Sequence, residues 1–244
     1  MLKRLGIIIT AVLMLVLISI ITFFYHTGRE TRQINTFAER AVSQVEQRLP
    51  QDDSQQGDAG KPTTADLKSA NFVAQGALTK VGQYHLTSDG IAERLQADYP
   101  VTATLQHGQF TYEVTRVQQY HNVARSTKAL QSARNRLNAP QLKQRYISFV
   151  VTYQIKNNGT AYGVTPGITT VAYKQGRTMS ALNGLMNDPK LSVAGIAPHK
   201  VTTARAVVVA DQANQHHMTV RFATVKDRAG NKLIGLSPKL TITF

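Results

Sequence analysis

The strongest constraint on this chain is an uncharged run that begins four residues in. Met1, Leu2, Lys3 and Arg4 precede it, and it fills residues 5–25 (LGIIITAVLMLVLISIITFFY), with Leu5 and Tyr25 at its two ends. At about 1.5 Å of rise per residue the run makes a helix on the order of 30 Å long, enough to cross a hydrocarbon core. Phe23, Phe24 and Tyr25 stand at its far end, where aromatic rings favour the membrane interface. A cleaved signal peptide would need a shorter apolar region and a small-x-small site, whereas His26-Thr27-Gly28-Arg29 follows here. The expectation is an uncleaved single-pass anchor over residues 1–28, in the cell membrane. Lys3 and Arg4 place the N-terminus in the cytoplasm and the rest of the chain outside, a bias that Arg29 and Arg32 partly oppose.

Residues 29–49 carry Ile34, Phe37, Ala38, Ala41, Val42, Val45 and Leu49 at helical spacing. The pattern predicts an amphipathic stalk helix. It suits a solvated stalk, a helix lying on the membrane or the domain, or a short coiled-coil seam that pairs chains into a weak homo-oligomer. Pro50 ends it. Residues 50–66 (PQDDSQQGDAGKPTTAD) have no large apolar side chain and predict a flexible linker with a reach of roughly 20–25 Å.

Residues 67–244 are expected to form one extracellular domain. Its first third is ambiguous: residues 71–87 suit one or two strands, and Ser88-Asp89-Gly90 before IAERLQ suits a capped short helix ending at Tyr99-Pro100. After Pro100 a β pattern takes over. Strand candidates are residues 101–106, 110–120, 146–156, 163–174, 191–196, 201–210, 217–226 and 232–244. His107-Gly108 reads as a turn, Asn158-Gly159 as a hairpin turn after 146–156, and residues 227–231 (DRAGN) as a turn around Gly230. Seven or eight short strands at this turn spacing argue for a mainly β chain built as an antiparallel sandwich.

Charge divides the chain unevenly. The formal net charge is +14, and beyond residue 100 the only acids are Glu113, Asp188, Asp211 and Asp227. Such a balance favours an anionic partner. The positives are densest in residues 125–145, which hold Arg125, Lys128, Arg134, Arg136, Lys143 and Arg145 and no acid. Ala129, Leu130, Ala133 and Leu137 give this stretch a basic amphipathic helix ending before Pro140. Those six cations are the candidate polyanion-binding residues, for teichoic acid, anionic headgroups or nucleic acid. The competing reading is a solvated inter-strand connection.

The strand FTYEVTRVQQY, the basic insertion, YISFVVTYQIKNNGTAYGVTP, IAPHKVTTARAVVVA and the closing pair VRFATVKDRAGNKLIG and LTITF occur in that order. This order resembles the telokin-like immunoglobulin-fold domains of Gram-positive bacterial surface lipoproteins and membrane-anchored proteins, over about residues 110–244. The stretch from Val151 to Gly159 carries most of the likeness. The resemblance implies an extracytoplasmic immunoglobulin-like β-sandwich with no catalytic residues, the transmembrane run standing where those lipoproteins have a lipidated cysteine. The chain has no cysteine, hence no disulfide and no thiolate metal site. Its seven histidines form no HExxH or paired-ligand spacing, although His107 and His121 have the chance to meet across a sheet. No GxSxG, SxxK or paired-carboxylate arrangement and no phosphate-binding loop occurs in the domain. No enzyme activity, cofactor or metal site is expected. The expected role is binding of an anionic cell-wall polymer or another envelope protein. The alternatives are an assembly subunit docking through the stalk helix or a sheet edge, and surface capture of nucleic acid, which lacks a stacking row of aromatics.

Overall fold

The computed structural model describes residues 60–174 and 176–244. The expected anchor with Leu5 and Tyr25, the stalk helix 29–49 and residues 50–59 of the linker lie outside the described residues. Among the described residues no helix is long and apolar enough to cross a membrane. The elements are, in order, α1 (Thr64–Lys68), β1 (Tyr84–Leu86), β2 (Ile91–His107), β3 (Phe110–Ala124), α2 (Thr127–Arg136), β4 (Arg145–Asn157) and β5 (Ile168–Tyr173). They continue with β6 (Thr178–Ser180), β7 (Leu185–Asn187), α3 (Lys190–Val193), β8 (Val201–Ala210), β9 (His217–Phe222) and β10 (Lys239–Thr243).

The strands build two antiparallel sheets. The larger has the order β1-β2-β3-β4-β8-β7 and the smaller β10-β9-β5-β6. Alternation dictates their packing. Phe149, Val151, Tyr153 and Ile155 of β4 share one face with Ala204, Ala206 and Val208 of β8, and meet Val171, Val220, Phe222 and Ile242 of the smaller sheet in one core. The mainly β, sandwich-like expectation holds, with ten strands among the described residues rather than seven or eight. A second core lies on the opposite face of the large sheet. There Ala129, Ala133 and Leu137 of the α2 region cover Ile91, Ala124, Tyr146 and Val209. The apolar spacing read in residues 125–145 therefore makes the expected helix, with Ser126 as its cap accepting from Ala129 N.

Four local expectations are corrected. The IAERLQ segment is the start of a long strand, not a helix. Ile91 and Leu95 are both fully buried, and a spacing of four fits one face of either element. Pro100 does not end that element. It sits at a register shift between Pro100 and Ala103, where the ladder is interrupted and its missing N–H is tolerated. Asn158-Gly159 makes no hairpin, because β4 pairs with β3 and β8 and the chain leaves for the other sheet. Residues 191–196 are not a strand: α3 and Gly195, in left-handed conformation, occupy them. The folded part also begins before residue 67. Thr63 and Asp66 cap each other at α1, and Asp66 is buried.

Gly57–Phe244 is one compact unit, and both cores are made of residues between Ile91 and Ile242. That unit carries the apolar surface it needs to fold apart from the chain before it.

Candidate functional site

The two sheets differ in length, and the difference makes the site. β2 and β3 pair from Ile91 with Ala124 to His107 with Phe110, while β9 and β5 of the smaller sheet pair only from Ile168 with Phe222 to Tyr173 with Met218. Near the start of β2 and the end of β3 the core-side face of the large sheet carries polar side chains. Arg94 and His121 are register partners there, and His121 is in turn the partner of Ile147 on β4.

Two grooves meet at His121. The larger, about 430 Å³, is walled by Lys143, Arg145, Arg177, Asp211 and Tyr146. The smaller, about 260 Å³, is walled by Arg94, Arg125, Asp66 and Tyr84. Both carboxylates are already engaged. Asp66 receives Arg125 through both terminal nitrogens, at 2.6 and 2.5 Å, and Asp211 receives Nε of Arg177 at 3.0 Å and Nη2 at 2.5 Å. Each arginine holds its partner's carboxyl below the usual carboxylate range, a pull that exceeds the opposing effect of burial. Arg94 stacks over Tyr84 at 4.7 Å and donates to Gly82 O at 2.8 Å. Lys143 and Arg145 are exposed and have no ion-pair partner among the described residues. The paired grooves thus hold an excess of fixed positive charge beside a half-buried imidazole, an arrangement suited to phosphate or carboxylate groups on an extended ligand.

The six sequence-predicted cations separate. Arg125, Lys143 and Arg145 reach the grooves. Lys128 lies exposed on the first turn of α2, over the opposite face of the sheet. Arg134 is spent inside the fold, donating Nε and Nη2 to Leu142 O at 3.0 and 2.8 Å. Arg136 lies 3.6 Å from Asp89 and 3.9 Å from Glu93 and ties the helix to β2. Neighbourhood in sequence missed Arg94, His121 and Arg177. Only the alternation of β2 and β3, which puts Arg94 and His121 on one face, carried a signal for the first two. His107 and His121 do not meet, standing at opposite ends of β3's pairing with β2. Among the described residues no three His, Asp or Glu side chains gather as a metal site would need. The fold and the grooves define a class: a mainly β, sandwich-like domain with a cationic cleft at one end. No protein-family model matches the chain, and no curated protein matches it.

Proposed function

We propose that the chain is a membrane-anchored, extracytoplasmic binding protein whose domain holds an anionic envelope polymer in the paired grooves. The telokin-like immunoglobulin resemblance, the sandwich-like fold and the 5–25 run support this reading together. The observation that carries it is the junction at His121, where Lys143 and Arg145 face a groove of about 430 Å³ without a counter-ion of their own. A polymer bearing regularly spaced phosphates supplies those counter-ions, and its flexible backbone needs no aromatic platform. Single-stranded nucleic acid would add base stacking. The ring at the smaller groove, Tyr84, is buried under Arg94, which leaves it no open face to offer.

The test is retention of the unit Gly57–Phe244 on polyol-phosphate, heparin-like and DNA matrices across a salt gradient. Lys143→Glu with Arg145→Glu is compared with Lys68→Glu with Lys128→Glu, the same four-charge change at exposed helix positions outside the groove linings. The groove pair should lose retention on one matrix by a factor of ten or more, and the helix pair should stay within about two-fold of the parent. Equal losses for both pairs would leave only diffuse charge and overturn the reading.

A further inference from the structure

The end of the domain opposite the grooves carries a second concentration of charge. β4 runs from Arg145, in the groove wall, to Asn157, a span of about 40 Å at roughly 3.3 Å per residue. At the Asn157 end, the connections from β4 to β5, from α3 to β8 and from β9 to β10 are tied together by backbone hydrogen bonds. Asn157 N donates to Lys200 O at 2.9 Å, Gly163 and Ile196 exchange two bonds, and Val164 and Lys226 exchange two more. Lys226 also bridges to Lys232. These ties place Lys200, Lys226 and Lys232 on neighbouring loops, with Lys190 on α3 just before Ile196.

Two features distinguish this end from a merely solvated basic surface. The acids on these loops are consumed locally. Asp227 accepts from Asn231 N at 2.8 Å and Nδ2 at 2.9 Å, and Asp188 accepts from Lys190 N at 2.9 Å. Lys190, Lys200, Lys226 and Lys232 have no carboxylate partner among the described residues, and Arg228 lies 3.8 Å over the ring of Tyr162. The same loops also leave large aliphatic side chains in water: Val193 is 84% exposed and Leu236 75%. Unpaired lysines around bare aliphatic tips match the chemistry of a bilayer interface, where ammonium groups meet lipid phosphates and aliphatic groups enter the headgroup layer. A hydrated polyol-phosphate chain offers nothing for Val193 and Leu236.

We propose that this lysine pole docks on a membrane surface rich in anionic phospholipid, independently of the groove site and of the 5–25 run. Gly60 lies against Ser88, at the groove end of β2, so the pole stands at the far end of the domain from Gly60. Its contact with lipid belongs to the folded unit itself.

The experiment is co-sedimentation of Gly57–Phe244 with vesicles of phosphatidylglycerol and phosphatidylcholine, against vesicles of phosphatidylcholine alone. Binding should require the anionic lipid. Lys226→Gln with Lys232→Gln should weaken it roughly 25-fold, about five-fold per cation removed. The same two-charge change at Lys68 and Lys128, exposed at the other end and several Debye lengths away at 0.1 M salt, should alter it less than two-fold. Val193→Ser with Leu236→Ser should weaken it about ten-fold while leaving the salt slope unchanged, which separates insertion from charge. Binding to neutral vesicles, or an equal effect of the Lys68 and Lys128 pair, overturns the proposal. Since polymer retention is read with the groove pair Lys143 and Arg145, failure here leaves the groove reading intact, and the reverse also holds. Circular dichroism melts of each exposed-site variant should match the parent, so lost binding is not lost folding.

Discussion

Asp66 decides what Arg125 can do. Its carboxylate is 5% exposed and accepts from both terminal nitrogens of Arg125, from Thr63 N and Oγ1 at 2.8 Å, and from Tyr84 Oη at 2.9 Å. Arg125 is therefore a counter-ion within the fold before it is a groove wall. Arg125→Met strands a buried carboxylate and should cost about 3 kcal/mol, read as a lower urea midpoint at pH 7. The Arg125 guanidinium, and then Thr63 and Tyr84, hold the Asp66 carboxyl far below its ordinary range despite burial. A depressed folded-state value gives stability that is complete above the unfolded carboxyl's pKa, near 4, and is lost as pH falls below it towards the folded value. Asp66→Asn should therefore be least stable relative to the parent at neutral pH, and the gap should narrow below about pH 4. A gap that stays constant down to pH 2 would remove Asp66 from the acid response. Nothing near Arg125 in sequence announces its partner, which lies 59 positions earlier. Such long-range pairings made Arg125 and Arg136 into structural groups, and a local bond to Leu142 O did the same for Arg134.

At the scale of elements, legibility followed whether a pattern had one geometric solution. β8 is read with its observed bounds, and α2 is legible because Leu130 packs on the same side as Ala129, Ala133 and Leu137, and neighbours such as 129 and 130 share a face in a helix but not in a strand. Ile91 and Leu95 fit helix and strand alike, and the pairing of β2 with β1 and β3, invisible in a local window, resolves them as strand. Asn157-Asn158-Gly159 fails as a hairpin signal for another reason. Asn157 is fully buried and its side chain ends the strand: Nδ2 donates to Ala161 O at 2.7 Å and Ile196 O at 3.2 Å, and Oδ1 accepts from Gly159 N at 3.0 Å. It closes the outgoing loop onto the chain that follows α3. Asn157→Ala takes the partners from Ala161 O and Gly159 N, while Ile196 O keeps its bond from Gly163 N. It should cost about 2 kcal/mol, measured as a shift in the urea midpoint. Asn157→Asp keeps Oδ1 and loses the donor, so it should recover at most part of that loss.

At the scale of the molecule, most acids of the domain are consumed in local pairs and caps, so the excess cations gather where no carboxylate answers them. Asp66 and Asp211 are used at the groove end, and Asp227 and Asp188 at the lysine pole. The two ends are separated by the length of β4, about 40 Å, against a Debye length of about 10 Å at 0.1 M salt. Charges at one end are then nearly silent at the other, and sites that share no partner contribute additively within about 0.5 kcal/mol. If the groove takes polymer and the pole takes lipid, both are occupied at once and neither changes the other's affinity. Vesicles containing phosphatidylglycerol should therefore carry labelled polyol-phosphate into the pellet only when the protein is present. The Lys143→Glu and Arg145→Glu pair should leave protein in the pellet and polymer in the supernatant, whereas Lys226→Gln and Lys232→Gln should leave both in the supernatant. Mutually exclusive binding, with polymer displacing the protein from vesicles in proportion to its concentration, would mean that one surface serves both ligands and that the separation of charge along β4 has no functional counterpart.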